Sequence, residues 1–349
     1  MKFLWRWVKR LVSAVVLLVI LLLLPVGYTE VACRGTPSPE LSRPIITDPD
    51  WQRDESRTLT TYPEWHIVHA YDDYAQVIST GDPHEFGFLR AIAGFWTSLC
   101  PLARRSAAMG GFTSESKITI YTIGVSFTAE LLAKAAYEES LGRIATWIRG
   151  PDRTELDYVQ AQQAADYARF LQQTPWYKWD FRRASVVLFN RSSDIFRDRE
   201  REYALGLEYR VKAAYADVIA SAVDEIGQDE LRIRSIIQGI STEELSTTPT
   251  VRVIEETAKG TLIETDRYRA FTHLLQNWAA RGGNMVEIAG NDEILFTAIS
   301  DQETLEEAFY SFPRQGYDDW RHLVIVPVPE LLNRIRNLDG ARLEHVHDY

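Results

Sequence analysis

Residues 11–28 contain no charged side chain, and that run constrains the chain more than any other feature. As a helix rising about 1.5 Å per residue it reaches roughly 27 Å, close to a bilayer hydrocarbon core of about 30 Å. Trp5 and Trp7 extend it at headgroup depth, where indoles prefer to sit. Lys2, Arg6, Lys9 and Arg10 precede it with no acid among them, which predicts a cytoplasmic N-terminus and an extracytoplasmic remainder. A cleaved signal peptide shares the basic start and the apolar stretch but also needs a small-x-small cleavage site. Cleavage after Ala32 sets Glu30 at a position that wants a small residue, and acylation of Cys33 meets the same obstacle. Residues 1–28 are therefore read as an uncleaved signal-anchor, with the membrane as a partner through residues 11–28.

Two more apolar segments bear on topology. Residues 86–103 hold only Arg90 as a charge, and residues 118–136 hold only Glu130 and Lys134. Arg104, Arg105 and Lys117 lie between them against Glu115, so a three-span topology is self-consistent. Against it, both segments are interrupted by Gly, Thr, Ser or charge, and a charge at mid-bilayer costs about 3 kcal/mol to insert. A single span is the preferred reading.

Beyond the anchor the chain is acidic. Net charge is −11 even with four bases in the first ten residues, which argues against a nucleic-acid partner. Two cysteines exclude a disulfide scaffold and a Cys-based zinc finger. With the bulk outside the cytoplasm, Cys33 and Cys100 are a disulfide candidate, which would stabilise by about 4 kcal/mol on chain entropy.

Residues 29–60 read as an extended tether. Pro37, Pro39, Pro44 and Pro49 recur among polar residues, and no apolar period appears. Residues 61–240 read as a helical domain. Its first helix is expected to start at Thr61-Tyr62-Pro63-Glu64 and to stop at Gly81-Asp82-Pro83. Four further helices are expected over 84–107, 114–140, 153–173 and 194–226, with an aromatic corner at 174–179. Residues 248–349 read as a C-terminal α+β domain whose order, roughly β-α-β-β-β-α-β, resembles a split βαβ, ferredoxin-like sandwich. The fold class is thus α+β, with no internal repeat visible.

Catalytic signatures are missing. No phosphate loop, dinucleotide fingerprint, zincin helix, nucleophile elbow or C-x-x-C is present, which disfavours the enzyme classes built on them. The densest polar cluster runs from Tyr62 to Tyr74. At 100° per residue His66, His69 and Asp73 share one helix face, opposite Ile67, Val68 and Tyr71. Two imidazoles and a carboxylate at that spacing are candidate ligands for a divalent metal, and a hydrated polar face is the plainer reading. Glu64 projects toward the apolar side, where it serves the helix N-terminus or, if buried, acts as an acid or base. His345 and His347 share one face of a closing strand, read as half-exposed. The leading functional expectation is a membrane-anchored extracytoplasmic binding or interaction module with a protein partner. The alternatives are a metal-dependent hydrolase centred on His66, His69 and Asp73, and a three-span component of an envelope or transport assembly.

Overall fold

A computed structural model describes residues 2–37, 43–226 and 231–349. The first helix, α1 (Lys2–Ala32), runs past the expected end of the anchor. Its stretch Trp5–Ala32, with a mean hydropathy of 2.8, is the one helix among the described residues long and apolar enough to cross a membrane. Leu22, Pro25, Val26, Thr29, Glu30 and Cys33 are partly or fully buried, a stripe at steps of three and four that packs on the body. Glu30 accepts from Tyr121 at 2.6 Å and from Lys117 at 3.0 Å. Cys33 is disulfide-bonded to Cys100. The C-terminal end of α1 is therefore clamped to the body.

Of the expected tether, residues 38–42 lie outside the described residues, and residues 43–60 are held to the body. The backbone N–H groups of Ile45 and Ile46 donate to the Glu287 carboxylate at 2.5 and 2.7 Å. Trp51 lies under the Arg234 guanidinium, 4.0 Å from the ring centre. A segment with too few apolar residues to form its own core is held here by polar contacts to a pre-formed sheet.

Seven helices build the next region: α2 (Arg57–Thr80), α3 (Phe88–Ser106), α4 (Ser114–Tyr137), α5 (Arg143–Arg149), α6 (Glu155–Leu171), α7 (Phe181–Arg191) and α8 (Phe196–Ile226). α2 begins at Arg57, so Pro63 sits inside it and not at its first turn. The two apolar segments that suggested extra spans are α3 and α4. Phe95, Leu99, Leu102, Ile120 and Phe127 from them form a shared core with α2. The same core takes Leu295 and Leu323 from a sheet.

Eleven further elements follow, which interleave as β1 (Arg232–Gln238), α9 (Thr242–Thr247), β2 (Arg252–Thr257), β3 (Gly260–Asp266), α10 (Arg269–Ala280) and β4 (Asn284–Ile288), and then β5 (Glu293–Ser300), β6 (Ala308–Pro313), β7 (Trp320–Pro327), α11 (Val328–Arg336) and β8 (Ala341–His347). β1 lies inside the stretch expected to be helical. The strands form two antiparallel sheets in place of one ferredoxin-like sandwich. Their orders are β2-β3-β1-β4 and β6-β7-β5-β8. Apart from α9, inserted after β1, each sheet follows the same βββαβ order: its first strand lies third in the sheet, flanked by its third and fourth strands in the chain. The repeat exists in topology and not in residue identities. Phe271, Leu275 and Trp278 of α10 and Leu331 and Leu332 of α11 fill a single core with both sheets. The second sheet is covered on its other face by α2, which explains why β5 is buried along almost its whole length.

Candidate functional site

α2 is buried on its polar side. His66, His69 and Asp73 are 5%, 6% and 6% exposed, so the hydrated face expected from their polarity does not exist. A helical wheel identifies a face but not what covers it, and here the cover is the second sheet. Glu64, in contrast, is exposed, so it is not a buried acid or base.

The three expected metal ligands are drawn to different partners. His66 donates from Nε2 to the Ala91 carbonyl at 3.1 Å, among the rings of Phe95, Phe127 and Phe312. Asp73 accepts the Gln315 backbone N–H at 3.0 Å and faces Arg314 and Arg321. His69 places Nδ1 3.6 Å from Glu344. Among the described residues no group of three or more His, Cys, Asp or Glu side chains is arranged to hold a metal ion.

What the geometry does assemble is a polar cavity of about 310 Å³ where the helical region meets the second sheet. α2 contributes Trp65, His69 and Asp72, and α10 contributes Arg269, Thr272 and His273. The β6–β7 loop and β8 add Arg314, Tyr317, Arg342, Glu344 and His345. Trp65 stacks on His345 with ring centres 3.4 Å apart, and His345 Nδ1 lies 3.2 Å from the Thr272 hydroxyl. The Nε2 atoms of His69 and His345 are buried with no hydrogen-bond partner.

Behind this wall lies an ionic brace. Arg321 on β7, 1% exposed, reaches across β5 to clasp both oxygens of Glu344 on β8 at 2.6 and 2.7 Å. Bidentate clasps of this kind fix geometry as well as charge. Arg314 joins Asp72 at 3.2 Å to Asp319 at 3.0 Å and lies over the Tyr317 ring. Tyr317 donates to Asp72 at 3.1 Å.

Burial dominates the protonation of these groups. Desolvation pushes His66 down to about 4 and His347 down to about 3. His69 falls well below its ordinary value through burial, helped by the Arg321 charge, and His345 does so through burial and its histidine neighbours. Asp73 rises to about 6 because desolvation outweighs the pull of Arg321. Burial also works to raise Glu344, but Arg321 overcomes it and the carboxyl stays below its usual range. The imidazoles around Trp65 are thus neutral at pH 7, while the arginines carry the positive charge.

One rim of this cavity is legible in the sequence: helix spacing marks His69, and strand alternation sets His345 and His347 on one face. That face was read as half-exposed, yet both are at most 2% exposed because α2 lies over β8. Arg269, Arg314, Tyr317, Arg321 and Arg342 were missed. They are scattered over more than seventy residues, and the packing of α10 and α2 against the second sheet gathers them. No protein-family model, curated protein or solved structure matches this chain.

Proposed function

We propose that this protein is a membrane-anchored binding module that holds a small organic or inorganic anion in the cavity between α2, α10 and β8. One observation carries the reading: three guanidinium groups line a concave site whose carboxylates are already engaged. Asp72 is taken by Arg314 and Tyr317, and Glu344 by Arg321. Among the described residues the Arg269 side chain meets only His273, at 3.4 Å, and that of Arg342 only Asp319, at 3.8 Å. Those two rim cations match a carboxylate or phosphate, and the orphan imidazole nitrogens behind them supply further polar contacts. The basic residues in the first turns of α1 support a cytoplasmic N-terminus and, with it, an extracytoplasmic cavity.

The test is the thermal unfolding of full-length protein titrated with inorganic phosphate and, separately, with succinate. A ligand that binds only the folded state at 100 times its Kd stabilises by about 2.7 kcal/mol. A saturable rise in Tm that disappears in the Arg269→Ala, Arg342→Ala double variant supports the proposal. If every anion raises Tm equally in both proteins, the cavity is not an anion site.

A further inference from the structure

Helix α8 has two dissimilar sides. Leu205, Ala213 and Ala216 face inward and are buried. On the other side Leu207, Val211 and Val218 are 63%, 61% and 63% exposed, and no described residue covers them. Ala204, Ala214 and Ser221 complete the stripe. Small or apolar residues therefore stand at 204, 207, 211, 214, 218 and 221. Steps of three and four alternate without a break, which is the spacing of a two-helix coiled-coil seam and not of a solvated face. Beside the seam, exposed Val186 and Phe189 of α7 widen the apolar surface.

The border residues identify the occupant. Arg210 and Asp217 flank the seam on the α7 side, and Glu208 and Tyr215 flank it on the other. In an antiparallel pair of identical helices, each edge meets the same edge of its mate. Setting Val211 against Ala214 of a second copy also sets Leu207 against Val218 and Ala204 against Ser221. The same register brings Arg210 against Asp217 of the second copy, twice by symmetry, and Glu208 against Tyr215. A parallel pair instead opposes Arg210 to Tyr215 and gains no opposite-charge contact. Arg210 has no carboxylate within ion-pair distance among the described residues, so it is the cation available for such a contact. A lipid surface fits less well, because the Arg182–Asp217 ion pair at the border would have to leave water. We propose that α8 is a self-association surface, and that two copies of this chain pair antiparallel about a two-fold axis passing between Val211 and Ala214.

Cross-linking of full-length protein in detergent and in lipid nanodiscs tests this. The two native cysteines are bonded to each other, so an introduced cysteine is the one free thiol. Mixed Leu207→Cys and Val218→Cys chains should form a disulfide-linked dimer on mild oxidation, and neither variant alone should. Self-linking of Val218→Cys alone would overturn the antiparallel register. A monomeric mass with no cross-link in either medium would overturn the dimer. Quenching of a fluorophore at a Val211→Cys variant by nitroxide lipids would assign the face to the membrane instead. Arg210→Glu should weaken dimerisation at least about tenfold, since like charges then face each other, and adding Asp217→Lys should restore it. Absence of that restoration would refute the register independently of any cysteine variant.

Discussion

Arg197 and Arg201 are buried as deeply in the helical region as Trp278 and Phe271 are in the strand-rich one, all at 1% exposure or less. The two regions solve burial by different chemistry. In the helical region Arg149 bridges Asp82 at 2.7 Å and Asp157 at 2.9 Å, and Arg197 takes the other oxygen of Asp157. Arg201 pairs with Glu138 and Glu200. A second network joins Lys134 to Glu208 and Lys212 to Glu130, with Tyr71 donating to Glu130. The two sheets and α10 and α11 instead share one apolar core without such a network in it. Buried ion pairs add little net stability but are costly to break from one side. Apolar cores lose stability in proportion to the cavity a truncation leaves. The helical region thus adds buried charge matching to its apolar core, while the core between the two sheets relies on packing.

The sharpest way to break that contrast is to remove one member from each side. Asp157→Ala strips two buried guanidiniums of a shared partner and should destabilise by about 3–5 kcal/mol. Trp278→Ala should cost about 3–5 kcal/mol by cavity formation. The two differ in rescue. Adding Arg197→Met to Asp157→Ala should recover part of the loss, measured as Tm by circular dichroism, because one unpaired charge is removed. No charge change should help Trp278→Ala. If Arg197→Met deepens the loss instead, charge matching is not what the helical region adds to its apolar core.

The boundary between the regions should govern acid sensitivity. His66 is held neutral at about 4, below its ordinary value of 6.5. The unfolded chain then binds the extra proton first, so this stability is present above pH 6.5 and drains as pH falls toward 4. The whole effect is about 3 kcal/mol at most. His66→Gln keeps a donor for the Ala91 carbonyl and should flatten the fall in Tm between pH 7 and pH 4.5. An unchanged slope would move the acid sensitivity to His69, His345 and His347.

The smallest effect lies near the junction of β4 and β5. Burial, a hydrogen bond to Asp292 and the charges of Asp292 and Glu293 raise Glu55 to about 7. Its folded value exceeds the unfolded one, so stability is full below pH 4.5 and is lost as pH rises through 7. Glu55→Gln should therefore raise stability at pH 8 and give no gain at pH 4. The group is half exposed, so solvent screening leaves a gain of about 1 kcal/mol. Equal Tm gains at both pH values would point to packing, not ionisation.

Much of the helical part was legible because helices announce themselves locally. Gly81-Asp82-Pro83 stops α2 as expected, and the Glu208–Lys212 pair on α8 forms at 3.1 Å. β2, β4, β5, β7 and β8 also carry local signals, but β1 lies in the stretch expected to be helical and β3 has no signal of its own. Strand partners carry no local signal, since β1 pairs with β3 and β4, and β5 with β7 and β8, across intervening elements. The buried polar face of α2 misled for a related reason. Two histidines and an aspartate look solvated until Arg321 and Glu344, from strands more than two hundred residues away, are placed against them. Arg53 to Ala289 is another such contact, and no local pattern signals it.

The bond between Cys33 and Cys100 ties the end of α1 to a helix 67 residues downstream. A protease that nicks the chain once anywhere between those two positions therefore sheds nothing. Both fragments stay leashed across the cut, and only a reductant arriving after the protease opens the second lock.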